Sequence, residues 1–483
     1  MLRRTRFLLA LTLLTVGMFA LKLKVQPVRA SGTIYIRADG SIDPPSANVT
    51  ATNSLTYTFT GDNYASIVVE KDNIVVDGAG CTVQGAPDVT GIDLSHRCNV
   101  TIRNTTIKGF SSRPGIWLYL SLNNTIYGNN MEDNFHGILL NRFSNFNTIC
   151  ENNITDSNAC GIAGDSCSDN TFHGNNIAGN YWKGISFYSC SNNTICENSL
   201  ANNGDEGIYL GPGCRFNTIG ENDITENSYG ILIEGSNNRV FTNNLTHNQY
   251  GGIFVSGSSN NAIVGNNISN PLGACIVLSN TSHNTVADNT LVQGSFGGLN
   301  IAGSSYNTVT DNNIADNADG IYLADSSNNV VVRNRVTNNG RGVFLTNSSD
   351  NKFYHNCFDS NSHQVYMNPG LVNIWDDGYP SGGNYWSNHI CAGNPNDGSQ
   401  PYILDEDNID HYPFQKLEGW IHYPVADVNR DGKVDIQDLG IVALAFGSYP
   451  EHPRWNRDTD VNDDGRTDLK DIALVALHFG ETY

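Results

Sequence analysis

Residues 193–216 read Asn-Thr-Ile-Cys-Glu-Asn-Ser-Leu-Ala-Asn-Asn-Gly-Asp-Glu-Gly-Ile-Tyr-Leu-Gly-Pro-Gly-Cys-Arg-Phe, and the chain then returns to Asn-Thr-Ile at Asn217. The stretch holds three short apolar pieces, around Thr194-Ile195, Ser199-Leu200 and Ile208-Tyr209-Leu210. They are separated by Asn, Gly, Asp and Ser, the residues of turns. No piece is long enough for a helix, and alternation at period two sends one side chain inward and the next outward.

Working outward, the leading Asn recurs at Asn124, Asn147, Asn170, Asn193, Asn217, Asn238, Asn261, Asn284, Asn307, Asn329 and Asn351, in steps of 21 to 24 residues. A second Asn column follows it, from Asn129 to Asn356, and a Gly-apolar-x-apolar signature recurs from Gly115 to Gly342. Three strands per turn of about 23 residues, stacked coil on coil, describe a parallel β-helix. We expect about 12 coils, with each Asn amide bonded to the one above and below as in amide ladders. A leucine-rich repeat would need helical segments that are missing, and a β-propeller would need about twice the period. Less regular coils begin near Asn73 and Asn99, after a stretch of Thr/Ile/Tyr alternation that suits an N-terminal cap.

Composition limits the function. The formal net charge is −21, and the first 30 residues hold six of the 27 basic residues and no acid, so the rest is more acidic still. Such a surface repels nucleic acid and anionic lipid. Arg3, Arg4 and Arg6, an apolar run from Phe7 to Leu21 and the small-residue segment Val28-Arg29-Ala30 have the layout of a signal peptide. The run is short for a membrane span. We therefore expect an exported protein with no membrane insertion once this segment is removed. Eleven Cys is an odd number, and their spacing follows the repeat rather than a disulfide framework.

Residues 65–370 resemble the family of carbohydrate-binding and sugar-hydrolase right-handed β-helices that includes the NosD-type periplasmic proteins. The likeness extends to Gly382-Gly383-Asn384-Tyr385-Trp386-Ser387 and Asn408-Ile409-Asp410-His411-Tyr412-Pro413. The Asp/Gly-rich stretch between these landmarks is shortened here to 393–398, which puts an ion site there in doubt.

Past this region, residues 427–438 and 460–471 repeat one pattern at an offset of 33. Acid or amide oxygens fall at loop positions 1, 3, 5, 9 and 12, with Gly at 6. The ligands are Asp427, Asn429, Asp431, Asp435 and Asp438, then Asp460, Asn462, Asp464, Asp468 and Asp471. Backbone carbonyls of Lys433 and Arg466 complete shells suited to calcium, and we expect two ions. After each loop, Leu439, Val442, Ala443 and Phe446 match Ile472, Val475, Ala476 and Phe479 at the spacing of one helix face, and Gly447 and Gly480 stop the helices. This duplication resembles a type I dockerin, which implies a cohesin-like domain on a scaffold or cell surface as partner. Positions 10 and 11 of the loops, which help choose the partner in that family, are Ile436-Gln437 and Leu469-Lys470.

The expected organisation is a signal peptide at 1–30, an N-terminal cap at 31–65, the β-helix at 66–372, a C-terminal cap and linker at 373–423, and a small helical calcium module at 424–483. On the strand that follows each Gly, the outward position includes Trp117, Tyr209, Phe254, Tyr322, Phe344 and Tyr366, beside His136, Lys183, Glu206, Asp319, Arg341 and His363. Aromatic rings with flanking donors such as Arg341 and His363 suit a sugar polymer; equally, aromatics favour strands whatever they bind. No carboxylate pair declares itself for glycoside cleavage, so a polysaccharide lyase or glycoside hydrolase is expected only if the protein is catalytic. Cys150, His173 and Cys196, at equal steps of 23, would form a column able to meet a soft metal, or are three unrelated surface residues. Two readings stand: a secreted carbohydrate-active protein docked through its C-terminus, and a non-catalytic rod in which that module serves assembly alone.

Overall fold

In a computed structural model, residues 32–389, 400–417, 419, 426–429, 431–450, 452–462 and 465–482 are described. The proposed signal peptide, the 393–398 stretch and Asp464 lie outside them.

Short strands wind into a parallel β-solenoid whose three long sheets hold 16, 15 and 14 strands; we call them A, B and C. Each coil contributes one strand to each, as in Ile116–Tyr119, Thr125–Tyr127 and Asn130–Glu132. The register is set by the repeat: Ile116 pairs with Ile138, Thr125 with Thr148 and Asn130 with Asn153. There are about 14 turns rather than about 12, because the irregular early coils already pair in register. Strand Thr33–Ile36 lies in sheet A against Ser66–Val69, and its other edge is covered by the antiparallel strand Ile42–Asp43.

Inward residues stack into fully buried aliphatic columns, such as Ile185, Ile208, Ile231 and Ile253. The bend from sheet B to sheet C uses a left-handed residue in each coil, as at Glu151, Glu197 and Glu221, with φ of 55°, 56° and 57°. These glutamates therefore stand at exposed corners, apart from the aromatic face. At Gly207 a Cβ would lie 2.8 Å from the carbonyl of Gly230 and 2.7 Å from Ile224, so coil-on-coil contact requires glycine there.

Both Asn columns form continuous internal ladders. Asn198 donates its backbone N–H and its Nδ2 to Oδ1 of Asn222, and Asn222 does the same to Asn243, all at 2.8 to 3.0 Å. A third, shorter ladder, Asn180, Asn203, Asn227 and Asn248, marks the corner before sheet A. These amides are buried, yet their donors and acceptors are paired, which is what makes a polar interior tolerable. Cys167, Cys190 and Cys214 fill a ladder of small side chains that Ser holds at Ser304, Ser326 and Ser348.

The closing segment ends the core with stacked rings. Trp375 lies on Phe353, Trp386 on Phe358 and Tyr402 on Trp386, with centroids 4.5, 4.6 and 4.3 Å apart. Asn373 and Asn408 extend the first long ladder by two residues, and Asn384 extends the second by one.

Toward the C-terminus, helices α1 (Ile436–Ala445) and α2 (Leu469–Leu477) each start on an Asp N-cap, Asp435 and Asp468, with Asp438 and Asp471 returning the capping bond. Ala426, Val428, Val434, Val442, Val461 and Val475 form their small core. The expected helix face is corrected at Ala443 and Ala476, which are exposed within α1 and α2, and at its end. Phe446 and Phe479 are 45% and 52% exposed, because α1 and α2 stop one or two residues earlier and the chain turns away from the core. Gly447 and Gly480 do take the left-handed conformation, with φ of 79° and 92°.

Candidate functional site

The three outer faces differ in chemistry. Sheet B presents Thr at Thr125, Thr148, Thr171, Thr194 and Thr218, and sheet C mostly Asn, Thr and Ala. Sheet B also carries Tyr127 beside Arg103, and Phe241 under Arg239, but on sheet A the rings and charges line two clefts. Trp117, Leu139, Ala163, Ser186, Tyr209, Leu232 and Phe254 are consecutive in register, and Asn300, Tyr322, Phe344 and Tyr366 continue the column.

Beside sheet A, the residue two before each Gly adds a rim that the repeat did not announce. Trp182, Tyr250 and Phe296 occupy this place in their coils and are 51%, 54% and 71% exposed. Backbone bonds stack the rim directly: Asp205 donates to Trp182, Ser228 to Asp205 and Tyr250 to Ser228. Rim and sheet together enclose two separate clefts. One, of about 450 Å³, is lined by Leu139, Ala163, Trp182, Lys183, Ser186 and Tyr188, with His136, Cys160, Asp165 and Asp205 around them. The other, about 420 Å³, lies between Tyr229, Tyr250, Leu272, Val277, Phe296 and Asn300. The first exists because Ala163 and Ser186 are small where neighbouring coils carry Leu139 and Tyr209.

Charges in the first cleft are tightly paired. Lys183 Nζ lies 2.6 Å from Asp205 and 2.7 Å from Glu206. Burial works against its charge, but the two carboxylates hold the ammonium well above its ordinary pKa. Burial pushes the Glu206 carboxyl up, with Lys183 opposing. His136 is pushed down to about 4 by burial, so it is neutral at pH 7, and its Nδ1 accepts the Cys160 N–H at 3.3 Å. Tyr209 is 8% exposed; its phenol donates to Glu234 at 2.5 Å, and burial together with that bond raises its pKa. Tyr209 is thus a wall of the site rather than an open ring.

At the far end Tyr322 and Phe344 stack, with centroids 4.8 Å apart and planes 18° apart, and Tyr366 meets Phe344 edge-on at 5.3 Å. Arg341 is bound to Asp319 through two nitrogens, one at 2.8 Å, and its guanidinium covers the Phe344 ring at 3.8 Å. Tyr366 is the open ring, half exposed beside exposed His363. Trp117 donates Nε1 to Asn141 at 2.9 Å, and Phe254 packs on Tyr229.

Cys150, His173 and Cys196 are in register on sheet B. Burial raises both thiols, which keeps them protonated. Among the described residues no three His, Cys, Asp or Glu converge closely enough to hold a metal ion, in this column or in the C-terminal loops. The loops do carry the donors of a hard-cation site. Asp427, Asp438, Asp460 and Asp471 are buried carboxylates, and Asp427 accepts the N–H groups of Asp431 and Gly432, folding the loop around it. Two positions of the duplicated unit also show the same apolar exposure: Ile436 and Leu469 at 70% and 69%, and Leu444 and Leu477 at 76% and 74%. No described helix is long and apolar enough to cross a membrane.

Residues 213–394 match the family described as periplasmic copper-binding protein (NosD). Residues 45–168 and 90–245 match the right-handed β-helix region, and 425–479 the type I dockerin domain. No curated protein matches the chain. Among solved structures, a mutant of the periplasmic alginate epimerase AlgG is similar at 13% identity, covering 62% of this chain and 83% of that one, with a TM-score of 0.49. The A-module of the Azotobacter vinelandii mannuronan C-5 epimerase AlgE6 is 13% identical over 72% and 87%, with a TM-score of 0.35. An alginate lyase from Paenibacillus sp. str. FPU-7 is 15% identical over 54% and 90%, with a TM-score of 0.36. The chain is a right-handed parallel β-helix with a NosD-type segment, joined to a C-terminal type I dockerin domain.

Proposed function

We propose that this is a secreted carbohydrate-active protein that binds a polysaccharide along the outer face of sheet A and is held to a scaffold through its dockerin domain. One observation carries the reading: among the described residues, the outer face of sheet A combines two clefts, exposed rings on its rim and ionisable groups. A sugar polymer offers ring faces to stack on aromatics and hydroxyls to pair with carboxylates, and two clefts on one face suit a chain of several units.

Type I dockerins are calcium-binding in general. Here Asp427, Asn429, Asp431, Asp438 and the Lys433 carbonyl would hold one ion, and Asp460, Asn462, Asp464, Asp471 and the Arg466 carbonyl the other, with Asp435 and Asp468 closing each loop. The ions would neutralise acids that the small core buries. The twinned exposed residues Ile436 and Leu469 suit docking on a cohesin-like partner.

The test is affinity electrophoresis of the full-length protein against a panel of polysaccharides, beside a Trp182→Ala, Tyr250→Ala, Phe296→Ala variant. Retardation of the native protein and its loss in the variant support the reading. If no polymer retards the native protein, a rod that serves assembly replaces it.

A further inference from the structure

We infer that the cleft around Lys183 is a subsite for a sugar unit without carboxylate or sulfate groups, and therefore that the polymer handled by sheet A is a non-anionic glycan. This deepens the proposed function and rests on it.

Charge and shape converge on this assignment. An anionic sugar needs an uncommitted cation or a set of N–H donors where its charge lands. Lys183 is the cation among the residues lining the cleft, and its ammonium is already bridged between Asp205 at 2.6 Å and Glu206 at 2.7 Å. Asp165 adds a further carboxylate to the lining. The nearest imidazole, His136, is neutral and spends Nδ1 on the Cys160 backbone. A uronate or sulfate would thus enter a partly buried space that already holds three acids against one lysine. Asp165 is exposed and Asp205 partly so, and solvent weakens this repulsion without reversing its sign.

An unmodified sugar meets the opposite situation. Its hydroxyls donate, and the carboxylate oxygens of Asp165 and Asp205 only accept. Trp182 and Tyr188, 51% and 46% exposed, offer ring faces on the walls, while Ala163 and Ser186 leave the floor low enough for a ring to sit between them. The arrangement repeats at the other end of the face, where Arg341 is consumed by Asp319 in a bidentate pair. Both of these bases are matched by an acid one coil away, and neither brings an uncompensated charge to the ligand.

The experiment compares full-length protein on gels containing β-glucan or galactomannan with gels containing polygalacturonate, alginate or a sulfated galactan, at moderate salt. At least one non-anionic polymer is expected to retard the protein, at least tenfold more weakly in Trp182→Ala, with no retardation by the anionic set. A second variant, Asp205→Asn with Glu206→Gln, removes both partners of the ammonium and is expected to gain retardation by polygalacturonate. If an anionic polymer alone retards the native protein, this inference falls and the proposed polysaccharide function stands. If nothing retards it, both fall.

Discussion

Asn384 donates its backbone N–H to Oδ2 of Asp410 at 2.8 Å, so that an amide ladder running through much of the solenoid ends on a carboxylate. The same oxygen accepts Trp386 Nε1 at 2.8 Å, and Oδ1 accepts the Tyr412 N–H at 3.1 Å. Burial nonetheless pushes Asp410 up to about 7, from 3.8 in an ordinary environment. Between those values the folded protein holds this proton more tightly than the unfolded chain, so stability from this group falls as pH rises from about 4 to 7 and is level above. The expected size is on the order of 1–4 kcal/mol. Thermal melts followed by tryptophan fluorescence should show that slope, and Asp410→Asn should flatten it. A slope unchanged in the variant assigns it to other groups.

Within a ladder the cost of a lost amide is local but large. Asn222→Ala leaves the backbone N–H of Asn198 without its acceptor, removes one of three acceptors from Asn198 Nδ2, and should destabilise by about 3 kcal/mol. The exposed neighbour Asn267, whose amide bonds only Asn244 on the outer surface, should cost less than about 0.5 kcal/mol when changed to Ala. Denaturant midpoints of the two variants make the comparison; equal losses would deny the ladder its special weight.

Cys190 stands where other coils carry Ser, and its sulfur accepts the Cys167 N–H as those hydroxyls accept theirs. Cys190→Ser should therefore shift stability by no more than about 1 kcal/mol. Cys190→Val, which keeps the apolar bulk but removes the acceptor, should cost more.

Removing calcium should unfold the dockerin domain and spare the solenoid. So small a core cannot easily bury Asp438 and Asp471 as bare anions, and metal binding then supplies folding free energy. Chelator should abolish the helical circular dichroism contributed by α1 and α2 and leave the β signal, and calorimetry on metal-free protein should count two sites. Helical signal indifferent to chelator contradicts this.

At the far end of sheet A, the two outer rings should not be equivalent. Arg341 covers one face of Phe344, whereas Tyr366 is open. Tyr366→Ala should weaken polysaccharide binding by about 1 kcal/mol, and Phe344→Ala by less. Affinity gels of the single variants give the ranking directly.

Much of this molecule could be read from its spacing. Asn193, Asn217 and Asn238 are separated by one coil each, and a parallel register converts that period into contact. The outward column of sheet A followed from Gly207-Ile208-Tyr209-Leu210 for the same reason. The pairs Lys183–Glu206 and Asp319–Arg341 were also one coil apart, yet the side chains had to reach each other before they became ion pairs instead of candidate ligands. Trp182 gave no signal, because a rim residue in a turn has no constant neighbour: Asp205 and Ser228 fill the same place in the next coils. Phe446 misled because helical periodicity was carried one residue past Ala445, where the helix stops.

The amide ladders also have a direction. Asn198 gives to Asn222 and Asn222 to Asn243, so each coil offers acceptors backward and donors forward. Two coils cut at the same place have matching ends, and a whole coil can be removed or duplicated without leaving a donor facing a donor. The terminal pieces are not exchangeable in this way, since only the downstream one must accept, as Asp410 does. The solenoid is thereby a ruler whose graduations can be added singly, and the separation of the two clefts on sheet A could be reset in steps of about 4.8 Å by gene rearrangement alone.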